Sequence, residues 1–88
     1  MHGHFDLIQH HGKTLRVVAM NKDLTPSALV IIFHRYHEVG RLRLVPAPCH
    51  ARLSNDQLWA LAVAQLTARG LFSQALAASG QLLTVALE

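Results

Sequence analysis

The sequence predicts an α+β fold, a small mostly antiparallel sheet with helices packed on one face, from three observations. Segments 5–9, 14–20 and 41–45 read as strands, most clearly where apolar and polar residues alternate with the period of two of a half-buried strand. Segment 54–70 sets helix start and stop residues around an apolar row. The densest apolar run, Ala28 to Phe33, is followed at once by the densest group of cationic and titratable side chains, and it reads as a buried helix. The expected order is β-β-α-β-α-α-β, in one compact domain over residues 1–88.

Phe5 to Gln9 and Thr14 to Met20 are the first two strands, joined at His10-His11-Gly12-Lys13, where Gly12 accepts the positive φ of a tight hairpin. In the second strand Leu15, Val17 and Ala19 share one face, and Arg16, Val18 and Met20 the other. Asn21-Lys22-Asp23 is polar punctuation. The spacing then predicts a helix with Thr25 as N-cap, Pro26 at the first helical position and Gly40 just past the end. Leu29, Ile32, Phe33 and Tyr36 fall at i, i+3, i+4, i+7 on its buried face. The β-branched run Val30-Ile31-Ile32 argues for a strand instead. From Arg41 to Val45 the alternation places Leu42 and Leu44 inward and Arg41 and Arg43 outward, and Pro46 and Pro48 end the ladder.

The next helix has the plainest signature. Ser54 to Gln57 forms a capping box, and Leu53 and Leu58 occupy the two positions of a hydrophobic staple. Leu58, Leu61, Ala62 and Gln65 form one helical row, Arg69 suits the C-terminal dipole and Gly70 ends the helix. Leu71 to Ser79 is a shorter helix closed by Gly80. Residues 81–88 alternate Leu83, Val85 and Leu87 against Leu82, Thr84 and Ala86, as a strand would, or they extend the preceding helix across Gly80. A β-grasp-like arrangement is one topology compatible with this order. Trp59, Gly70, Phe72 and Ala75 sit near the characteristic offsets of a tetratricopeptide helical hairpin, and this stretch resembles one such unit. The resemblance implies a packed helix pair; a single copy is short of the about three units that a stacked array needs.

Composition narrows the function classes. The chain is 51% hydrophobic and 15% charged, against about 25% charged in an average globular domain. A small domain cannot hide that much apolar surface inside one copy, so a self-complementary homodimer is expected. A formal charge of +3 falls short of a dense basic stripe for nucleic acid. The single cysteine, Cys49, excludes an intrachain disulfide, and a cytoplasmic location is expected. The N-terminus has no apolar signal region, and no apolar run approaches the roughly 20 residues of a membrane helix, so no membrane association is expected.

Of the seven histidines, His34 and His37 fall three apart on the expected helix, where their rings can converge on one metal. Cys49 and His50 follow in a loop; His2, His4, His10 and His11 surround the first hairpin. Without a C-x-x-C or H-E-x-x-H signature, no metal and no cofactor are expected. Cys49 has a possible base in its neighbour His50, but adjacent residues in a strand point apart and nothing in the pattern orients the base. The carboxylates are isolated and there is no glycine-rich phosphate loop, so no enzymatic activity is expected. The binding candidates are Arg16, His34, Arg35, His37, Arg41 and Arg43, joined by Lys13 and Lys22. The leading expectation is a small non-enzymatic protein-binding or adaptor module acting as a homodimer. The alternative is a small nucleic-acid-binding regulator using a basic strand face, and a histidine-based metal or pH sensor is a third class.

Overall fold

The structure, a computed structural model, describes residues 4–20, 24, 26–78 and 80–88. Four strands come first: β1 (His4–His10), β2 (Lys13–Ala19), β3 (Ala28–His34) and β4 (His37–Val45). A 3-10 turn (Pro48–His50), α1 (Asn55–Ala68), α2 (Leu71–Ala77) and β5 (Leu82–Ala86) complete the chain. The strands lie in the order β1-β2-β3-β4-β5, antiparallel from β1 to β4, and β5 returns parallel to β4. A parallel return needs a crossover, and α1 and α2 form it. The fold is α+β, with a mostly antiparallel sheet and both helices on one face.

Alternation sets which residues meet the helices. Leu15, Val17 and Ala19 of β2, Ala28, Val30 and Ile32 of β3, Leu42 and Leu44 of β4, and Val85 of β5 are all buried. Leu58, Trp59, Ala62 and Leu66 of α1 and Leu71, Phe72 and Ala75 of α2 pack against them as one core. Each large member contributes roughly 1.5–3 kcal/mol before entropy is subtracted. The Trp59 indole N–H also donates to the Asp6 carboxylate at 2.6 Å, tying α1 to the edge strand β1. The capping box forms as the sequence predicts: Ser54 Oγ accepts from the Gln57 N–H, and the Gln57 side chain accepts from the Ser54 N–H. Gly70 takes φ +66° between the two helices, and residues 82–86 are a strand, which resolves the C-terminal alternative.

One element differs from the expected order. Residues 28–34 form the central strand β3, not a helix, so the observed order is β-β-β-β-α-α-β. Apolar residues occupy every position from 28 to 33, on the buried face of Ala28, Val30 and Ile32 and on the half-buried face of Leu29, Ile31 and Phe33 alike, so no period distinguishes helix from strand there. The β-branched run carried the correct signal. Arg35 and Tyr36 are the two-residue turn of a hairpin, and Tyr36, expected in the core, is 95% exposed at its tip. Gly40 is not a helix cap but a buried residue of β4; a Cβ there would sit 3.1 Å from the Ala75 carbonyl oxygen of α2. The expected N-cap Thr25, the segment Asn21-Lys22-Asp23, the end of the third helix at Ser79, and His2 lie outside the described residues.

Candidate functional site

The face of the sheet turned away from the helices carries a grid of side chains fixed by strand register. Phe5, Val18, Ile31, Arg41 and Leu82 stand in one row across all five strands. Leu7, Arg16, Phe33 and Glu38 form the adjacent row. On the other side, Met20 meets Leu29 through a backbone hydrogen bond of 2.9 Å, and Leu29 pairs with Arg43 and Arg43 with Thr84. The apolar members concentrate on β1 to β3. Phe5 is 53% exposed, Leu7 63% and Met20 53%, beside half-buried Leu29, Ile31 and Phe33. Phe5, Arg16, Val18, Met20 and Phe33 line a shallow cavity of about 280 Å³.

The arginines of this face are held by neighbours. The Arg16 guanidinium lies 5.1 Å from the centroid of the Phe33 ring, a cation–π contact. Arg41 donates to both Glu38 oxygens, at 2.9 and 2.7 Å. In a regular strand residues three apart point to opposite faces; here a bulge at Val39 shifts the register between Ile32 and Phe33 and brings Glu38 to the side of Arg41. Arg43 reaches the Ser27 hydroxyl at 3.4 Å.

His34, Arg35 and His37 belong to a second place. His34 and His37 stand opposite each other at the end of the β3–β4 hairpin, not one turn apart on a helix. With Lys13, Leu15, Arg35, Glu38, Val39 and Leu76 they line a cavity of about 510 Å³ beside α2. The six predicted binding residues therefore divide: Arg16, Arg41 and Arg43 share the open sheet face, and His34, Arg35 and His37 share the hairpin end. The apolar half of the open face is the feature sequence reasoning missed. Its signal was the uniformly apolar β3, whose Leu29, Ile31 and Phe33 need a face of their own once the segment is a strand.

Other chemistry-bearing residues are engaged singly. Cys49 is exposed, and its neighbour His50 has both ring nitrogens directed at backbone atoms: Nδ1 accepts the Ala47 N–H at 3.0 Å and Nε2 lies 3.3 Å from the Glu88 oxygen. Asp6 binds Trp59, Asp56 lies 3.4 Å from His4, and Glu88 lies 3.9 Å from Arg69. Among the described residues no group of three or more His, Cys, Asp or Glu side chains is placed to hold a metal ion, and no helix is long and apolar enough to cross a membrane. No family model, curated protein or solved structure matches the chain.

Proposed function

We propose that the protein is a small non-enzymatic protein-binding module that acts as a homodimer, with the open face of its sheet as the self-interface. The observation that carries this reading is the apolar patch on the face that neither helix covers, made of exposed Phe5, Leu7 and Met20 and half-buried Leu29, Ile31 and Phe33 around the buried Val18. Soluble monomers rarely expose contiguous apolar patches of more than a few hundred Å². Strands β1 to β3, spaced by about 4.8 Å and each roughly 23 Å long, give roughly 330 Å² of face in projection before side-chain relief is added. A standard interface removes about 800 Å² of accessible surface per partner, so these strands would form the apolar centre of the contact and β4 and β5 its polar rim.

A second copy of this chain is the occupant that the apolar patch favours. A two-fold axis lying over β2 apposes β1 of each copy to β3 of the other, with Arg16 of each copy beside the axis and stacked on Phe33, and leaves β4 outside the apolar contact. Arg41 and Arg43 then fall on a polar rim, the arrangement common to protein interfaces. Sedimentation equilibrium at micromolar concentration should give about twice the 9.7 kDa chain mass. Phe5→Glu, placing a charge at an exposed edge position, should return the chain to monomer with the fold intact; a monomeric wild type would overturn the reading.

The alternative, a nucleic-acid-binding regulator, would use Arg16, Arg41 and Arg43 on phosphates and Phe5 or Phe33 as stacking platforms. It has less support, because Glu38 neutralises Arg41 and Arg16 is already stacked on Phe33. A salt titration separates the two, since phosphate contacts give a steep linear fall of log affinity with log salt.

A further inference from the structure

We propose that the cavity at the hairpin end is a binding site for a small amphipathic anion, a carboxylate or phosphate ester with a short apolar body. The site is independent of the sheet-face dimer: its walls are the β2 start, the β3–β4 turn and α2. Its volume, about 510 Å³, lies within the range of small-molecule sites. The lining divides by chemistry. Leu15, Val39 and Leu76 supply apolar wall, and Lys13, Arg35, His34 and His37 supply donors with two fixed positive charges. Glu38 is the one carboxylate in the lining among the described residues, and the Arg41 guanidinium holds it with three hydrogen bonds, one from Nε and two from Nη2. An incoming anion therefore meets a cationic rim over an apolar wall, where its head is paired and its tail leaves water.

Three local features of the sequence build this arrangement. The bulge in β4 inserts Val39 as the extra residue, and its side chain packs against the core from the cavity side. His34 and His37 form a directly opposed cross-strand pair, so their rings present donors to the same space. Arg35 occupies φ +58° in the two-residue turn, a conformation that glycine adopts at least cost. An arginine kept at a glycine-favouring position places a guanidinium at the cavity mouth at the expense of the turn.

The test is nitrogen–proton correlation NMR of the full chain titrated with hexanoate, with 1-hexanol as the neutral isostere. Hexanoate should give saturable shifts confined to Lys13, Leu15, His34, Arg35, His37, Val39 and Leu76. Hexanol should bind at least about tenfold more weakly. Arg35→Gly, which suits the left-handed turn, and Lys13→Gln should each weaken hexanoate by about tenfold while leaving the remaining resonances in place. Hexyl phosphate in a parallel titration identifies the preferred head group, and binding of either anion supports the site. Equal binding of hexanol and hexanoate, shifts centred on Phe5, Val18 and Ile31, unchanged affinity in both variants, or no saturable shift with any probe would overturn the proposal. Because the dimer test reads mass and this test reads the hairpin end, either reading can fail alone.

Discussion

His50 is the one polar residue among the buried side chains described, at 7% exposure, and its contacts explain why it is tolerated there. The ring takes the Ala47 N–H on Nδ1, which places its own hydrogen on Nε2, facing the Glu88 oxygen. Buried polar groups are costly when one partner is removed. His50→Ala should therefore lower stability by about 2–3 kcal/mol, read as a reduced urea midpoint with an unchanged slope. Arg35 works in the opposite direction. Its φ of +58° places an L-residue where the side chain crowds the backbone, so Arg35→Gly should raise stability by about 1 kcal/mol even as it removes a cation from the cavity. A loss of stability in that variant would mean that the arginine side chain holds the turn.

At the scale of elements, two junctions decide how the helices sit on the sheet. The start of α1 depends on Ser54, whose hydroxyl accepts the Gln57 N–H at 3.2 Å. Ser54→Ala removes that acceptor and should cost about 0.5–2 kcal/mol in thermal or urea melts. The packing of α2 on β4 depends on the absence of a side chain at Gly40, because a Cβ would press on the Ala75 backbone oxygen at 3.1 Å. That neighbour is backbone and cannot rotate away. Gly40→Ala should cost about 1–3 kcal/mol through displacement of α2, the magnitude typical of overpacking. The C-terminal end of the sheet is closed by Gln65, which accepts the Glu88 N–H at 2.9 Å, and by Arg69, which donates to the Ala86 carbonyl at 3.0 Å.

The sheet has two dissimilar faces, one sealed by α1 and α2 and one that no helix covers among the described residues. A chain that is 51% hydrophobic and folds into a two-layer structure has more apolar surface than one core can hold, and the excess gathers on β1 to β3. If that face is the self-interface, folding and association are linked, and the thermal midpoint of the wild type should rise with protein concentration. Differential scanning calorimetry over a wide concentration range should show this slope in the wild type and none in Phe5→Glu. A concentration-independent midpoint for both would leave the patch without a self-association role.

Local chemistry was legible wherever a segment has one wet face or a dedicated end signal. Arg16 against Leu15 and Val17, Arg41 and Arg43 against Leu42 and Leu44, and the Ser54 box with Gly70 all declare their structure within a few residues, because water on one side or a dedicated end residue leaves a local mark. The shared face of Arg16, Arg41 and Arg43 follows from that alternation. β3 was not legible, because its two faces are both apolar and a uniform run has no period. Its turn was hidden for a related reason: Arg35-Tyr36 lacks the Asn-Gly or Asp-Gly chemistry that marks a two-residue hairpin. Gly40 looked like a helix cap because its true constraint, the Ala75 backbone, is distant in the chain and exists only once α2 docks. The grouping of His34, Arg35 and His37 with Lys13 and Leu76 into one cavity, and the exposure of the apolar face, likewise arise from strand order and crossover. These are long-range pairings, and no local propensity encodes them.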